Sequence, residues 1–158
     1  MKTPLLSIVV ALLIGASASA QTTSTLPDDL TSYMQLKDAL YSSDVAKAKT
    51  AAIDMKNKIS IVDKPSKKAE SINSALSTIS SSDDIEAQRN AFAKLSQYMI
   101  SFFEENPLPG VTIYSDYCHM ARNGKGAYWL SLDKDINNNP YMGEKMPHCG
   151  TVDEKLSK

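Results

Sequence analysis

The stretch VAKAKTAAIDMKNKISIV, residues 45–62, decides the fold class. Its apolar residues Val45, Ala48, Ala52, Met55, Ile59 and Val62 recur at alternating spacings of three and four. That rhythm winds them onto one narrow stripe of an α-helix, whereas a strand would need a period of two. A narrow stripe between lysines and polar residues suits a helix that faces other helices. Pro65 ends the pattern by removing a backbone donor.

Helical patterns continue on both sides. Residues 28–41 place Leu30, Tyr33, Lys37 and Leu40 on one face, the lysine through its apolar stem, with Asp28 or Asp29 as N-cap. Residues 66–80 carry Ile72, Leu76 and Ile79, and the serines at 80–82 separate them from a fourth segment, residues 83–105. That segment opens on Asp83-x-x-Glu86, a capping-box pattern, and buries Ile85, Phe92, Leu95, Met99 and Phe102 or Phe103. Short connections favour antiparallel neighbours. The expectation is a mainly α fold, a four-helix up-and-down bundle over residues 28–105.

After Asn106-Pro107-Leu108-Pro109-Gly110 the texture changes. Residues 111–117 and 127–132 have the β-branched and aromatic composition of strands, and residues 123–126 and 137–140 read as turns. Residues 106–158 are therefore expected to form a small, irregular, β-containing C-terminal cap, and residues 28–158 one domain.

Residues 1–20 have the form of a secretory signal peptide: Lys2, an apolar run from Leu5 to Ile14 broken only by Ser7, then Ala18-Ser19-Ala20. The run is half of the roughly 20 residues a spanning helix needs. Cleavage leaves a Thr/Ser-rich flexible lead-in at residues 21–27 and an exported, soluble protein in an oxidising compartment, with no membrane insertion after cleavage. With 17 basic and 18 acidic residues there is no basic surplus of the kind nucleic acid or an anionic membrane attracts.

The chemistry gathers in the cap. Both cysteines and both histidines lie there as adjacent pairs, Cys118-His119 and His148-Cys149, with Met120, Met142 and Met146 nearby. Thiolate, thioether and imidazole are the donor set that selects copper(I), with zinc the competitor where methionine is unused. On an extended backbone Cys118 and Met120 share a face while His119 points away. The candidate set is Cys118, Met120, Cys149 and one of Met142 or Met146, with His119 and His148 as further donors. The other reading is a disulfide. Closing a loop of about 30 residues stabilises by roughly 3–4 kcal/mol in the chain-entropy account. Both readings hold together if oxidation removes the ligands.

Two sharper sites fail on inspection. A blue-copper centre wants one cysteine on a β-sandwich, not two beside four helices. Asp133-x-Asp135-x-Asn137-x-Asn139 with Glu144 imitates a calcium loop, but Asn138 stands where glycine is needed. No G-x-S-x-G, H-E-x-x-H or glycine-rich phosphate loop occurs, and adjacent Cys118 and His119 on a strand face opposite ways. No enzyme is expected.

Several motifs stand in order along the chain: Tyr33-x-x-Leu36-Lys37-Asp38-Ala39-Leu40, Arg89-x-x-Phe92-x-x-Leu95-Ser96, Tyr117-Cys118-His119-Met120-Ala121, Gly126-Ala127-Tyr128-Trp129-Leu130-Ser131, Asn139-Pro140-Tyr141-Met142-Gly143 and Met146-x-x-Cys149-Gly150. Together they make the chain resemble DUF3347, a family of small exported proteins of Gram-negative bacteria that also occurs fused to periplasmic adaptor subunits of heavy-metal efflux pumps. The resemblance implies a periplasmic location and a metal-handling context, with Cys118, Met120, Met146 and Cys149 at the family's positions. With the donor set, the expectation is copper(I) buffering or delivery to an efflux adaptor or other periplasmic partner; the alternative is a disulfide-stapled envelope interaction module without metal. His119 stands where the family more often has proline, and Pro147-His148 where leucine is commoner before the cysteine. Tyr128 and Trp129 are implied to pack the cap on the helices.

Overall fold

A computed structural model describes residues 26–60 and 66–156. The expected signal peptide, nearly all of the expected lead-in, and Val62 and Pro65 of the opening pattern lie outside the described residues. Four long helices come first: α1 (Asp28–Tyr41), α2 (Val45–Lys58), α3 (Lys67–Ser81) and α4 (Ile85–Glu105). A three-stranded antiparallel sheet follows, made of β1 (Ile113–Cys118), β2 (Ala127–Ser131) and β3 (Thr151–Leu156) in the order β2-β1-β3. The protein is mainly helical with a small C-terminal sheet. No helix among the described residues is long and apolar enough to cross a membrane.

Most of the expected stripe is buried, while Val45 and Ile85, at the starts of α2 and α4, are half-buried. Leu30, Tyr33, Leu36 and Leu40 of α1, Ala48, Ala52 and Met55 of α2, Ile72, Leu76 and Ile79 of α3, and Phe92, Leu95, Met99 and Phe103 of α4 enter one apolar cluster, which continues through Ile113, Trp129 and Leu130 to Leu156. Lys37 is buried along its stem and brings its Nζ to Asp38 Oδ1 at 2.9 Å. Each helix packs on its successor, and β2 packs on α4.

The helix ends differ from the sequence reading. α1 has Pro27 as N-cap and no side-chain cap. Asp29 instead turns inward and accepts from Ser60 N–H and Ser60 Oγ–H, both at 2.6 Å. That capture draws the chain out of the helical path: α2 ends at Lys58, and Ile59 is extended although its side chain stays buried. The cap of α4 is Asp84, which accepts from Glu86 N–H, while Asp83 pairs with Lys49 of α2. Asp83-x-x-Glu86 is therefore not the capping box. β1 starts two residues later than expected and reaches Cys118, and β3 is an added strand that the sequence reading lacks.

Arg89 ties these parts together. Its buried guanidinium donates to Pro140 O at 2.8 Å, to Leu40 O at 3.1 Å and to Ser43 Oγ at 2.9 Å, and pairs with Glu86 at 2.8 Å. One side chain of α4 thus holds the α1–α2 turn and the loop that precedes β3.

Candidate functional site

β1 is the middle strand, and its register with β2 sets the site. Cys118 faces Ala127, Asp116 faces Trp129 and Tyr114 faces Ser131. Alternation along the strand puts Asp116 and Cys118 on one sheet face with Ala127 and Trp129. All four are buried, and Asp116, Cys118 and Trp129 are fully so.

Cys149 reaches this face from the loop before β3. Its Sγ lies 2.7 Å from Cys118 Sγ. Two residues shape the approach. Asn139 is buried and donates from Nδ2 to Cys149 O at 2.6 Å, while its Oδ1 accepts from the N–H groups of Tyr141 and Met142 at 2.8 and 3.1 Å. Gly150 sits at φ +139°, where a Cβ would stand 2.7 Å from Tyr117 O and 3.0 Å from Trp129 Cη2. Only a residue without a side chain lets the backbone pass this close.

A chain of aromatic rings connects the pair to the helices. Tyr33 stacks on Phe92 with centroids 5.1 Å apart, Phe92 meets Tyr141 at 5.9 Å, and Tyr141 meets Trp129 edge-on at 6.0 Å. Hydrogen bonds fix its ends. Tyr33 Oη lies 2.7 Å from Ser96 Oγ and accepts from Leu130 N–H, and Tyr141 donates to Tyr128 O at 2.6 Å. Burial raises the Tyr33 and Tyr141 hydroxyl pKa values, so both remain neutral donors. Trp129 packs the cap as expected; Tyr128 is half-buried and meets Tyr117 in a tilted arrangement with centroids 4.5 Å apart.

Of the seven candidate donors, Cys118 and Cys149 come together. β1 ends at Cys118, so His119 and Met120 leave the strand path and are both exposed. Met146 is also exposed, at the turn whose carbonyl accepts from Cys149 N–H. His148 is exposed, with Nδ1 at 2.9 Å from Ile136 O. Met142 is half-buried against the core. Among the described residues, no group of three or more His, Cys, Asp or Glu side chains is placed to share a metal ion.

Burial, then the neighbouring Cys118, pushes the Cys149 thiol pKa upward, so Cys149 in the reduced protein stays a thiol at neutral pH. One ion bound tetrahedrally by both sulfurs would hold them about 3.7 Å apart for metal–sulfur bonds of about 2.3 Å. A disulfide needs about 2.05 Å. The observed separation lies nearer the covalent bond.

Asp116 was not among the sequence candidates. It lies two residues from Cys118 on the same face, with neither oxygen hydrogen-bonded, and Trp129 Nε1 opposite is also without a partner among the described residues. Burial pushes its carboxyl up to about 7, with Lys37 opposing and Asp133 adding to the shift. An acidic residue inside Ile113-Tyr114-Ser115-Asp116-Tyr117-Cys118 was the available signal.

The family described as Protein of unknown function (DUF3347) matches residues 30–108, which is half of the chain. The match runs from the first turn of α1 to just past α4, so it holds the Tyr33 and Arg89 motifs and stops before the sheet and both cysteines. No curated protein and no solved structure matches.

Proposed function

The chain belongs to the DUF3347 family, and from that premise we propose an exported envelope interaction module: a helical up-and-down bundle carrying a cap that a Cys118–Cys149 disulfide closes. The observation that carries this reading is the 2.7 Å approach of the two sulfurs, held by Asn139 and permitted by Gly150. Oxidation removes two protons and two electrons from the thiol pair, which an oxidised dithiol carrier of the exporting compartment accepts. The bond would link the end of β1 to the approach to β3, 31 residues later. A loop of that size stabilises by about 3–4 kcal/mol.

Thermal unfolding with and without reductant tests the proposal. Reduction is expected to lower the midpoint by several degrees, and a Cys118→Ser/Cys149→Ser variant should unfold at the reduced protein's temperature and ignore the reductant. A wild-type midpoint that reductant leaves unmoved would refute the stapled cap.

A second reading follows the exposed thioethers. Met120 and Met146 lie two and three residues from Cys118 and Cys149 and have no buried role. In the reduced protein, parting the thiols by about 1 Å would admit copper(I), with a methionine completing the site. This is the copper(I) buffering role, linked to a heavy-metal efflux adaptor in the periplasm. Copper(I) titration of reduced protein against a chelating competitor should give one bound ion. Unchanged affinity in the double serine variant would remove the cysteines as ligands.

A further inference from the structure

α3 and α4, joined by residues 82–84, pack on each other, and the small side chains of Ser74, Ala75, Ala87 and Ala91 line a depression beside them. The result is a groove of about 920 Å³. The connection between β1 and β2 closes one flank and contributes Arg122 and Lys125, while α4 contributes Lys94. Among the described residues none of these three cations has an ion-pair partner, whereas Lys37, Lys47, Lys49, Lys68 and Arg89 all do. Glu70 is the one acidic residue on the lining, so the groove is net positive on a chain whose formal charge is −1.

Arg122 is held in place at a cost. Its backbone is left-handed at φ 56°, as is Asn123 at φ 59°, in a turn where glycine would fit without strain. For a side chain of this size the conformation is strained, and such outliers gather at ligand sites. Arg122 Nε–H donates to Asn90 Oδ1 at 2.8 Å, which orients the guanidinium and leaves its terminal nitrogens without a protein partner among the described residues. An oriented guanidinium fork matches a carboxylate. On α3 the lining runs from Glu70 to Thr78, about 12 Å of helix, the length of roughly four extended residues.

We propose that this groove binds an extended acidic segment of a partner protein, its carboxylates taken by Arg122, Lys94 and Lys125. The proposal rests on the interaction-module reading for its use, and it stands apart from the disulfide. The test titrates oxidised full-length mature protein, labelled for amide NMR, with a peptide of alternating aspartate and glycine, and separately with its asparagine analogue, inorganic phosphate and citrate. The acidic peptide should shift amides at Ser74, Asn90, Lys94 and Arg122 and weaken as salt rises, and the asparagine analogue should leave the spectrum unchanged. Arg122→Gly, which suits the left-handed backbone, and Lys94→Gln should each lower affinity at least tenfold. Equal affinity in both variants, shifts elsewhere, or phosphate or citrate displacing the peptide at matched concentration would overturn it. A thiol count on the same sample reads the disulfide independently, so either idea fails without the other.

Discussion

At the scale of single residues, the cysteines were legible because two sulfurs in one cap have few separate fates. The position of Met120 was not. An extended backbone past Cys118 would have set it beside that sulfur, but the strand stops there and Met120 is exposed. Gly150 is the most exacting position. Replacing it with alanine sets a Cβ against Tyr117 O and Trp129 Cη2 at a φ that side chains rarely adopt. A loss of about 1–3 kcal/mol is expected, together with slower closure of the sulfur pair, read by denaturation and by the rate of thiol loss on air oxidation. Asp116 makes a different prediction. Its carboxyl titrates near 7 in the fold, against about 3.9 in an unfolded chain. The folded state therefore holds this proton more tightly, so the group's contribution is complete below pH 4 and is lost as pH rises through 7. The unfolding midpoint of Asp116→Asn should gain on wild type across that interval and run parallel above it. Parallel curves from pH 4 to 7 would show that Asp116 ionises freely.

At the scale of elements, helix interiors were legible and helix ends were not. Stripes of period 3.6 survive tertiary packing because burial is what they encode. Ends are decided by side chains from elsewhere: Asp29 takes Ser60 and so fixes where α2 stops, 31 residues along the chain. β3 was illegible for a related reason. Thr151, Val152, Asp153, Glu154 and Lys155 are all exposed, so no apolar alternation marks an edge strand that is held by its backbone bonds to β1. The joints between elements fall on two motif residues. Arg89→Ala should cost about 2–4 kcal/mol, because Pro140 O and Leu40 O lose a charged donor in a buried setting. Tyr33→Phe leaves Leu130 N–H and Ser96 Oγ without their shared partner and should cost about 1–3 kcal/mol. Chemical denaturation measures both, and a near-neutral result at either position would show that the joint re-forms without it.

At the scale of the whole molecule, the helices and the sheet share one apolar cluster, so the cap is an extension of the helical core. The family match covers the helices and leaves the chemistry in the part it does not reach. Fold class was readable from the periodicity of the helices, whereas the proposed function turns on one contact in the cap. Whether the sulfurs are joined decides between a stapled module and a vacant pair of soft ligands. The direct measurement is intact mass of protein isolated from its native cells and alkylated before and after reduction. No adduct before reduction and two afterwards, one for each cysteine of the chain, is the predicted result; two adducts on the unreduced protein would contradict it.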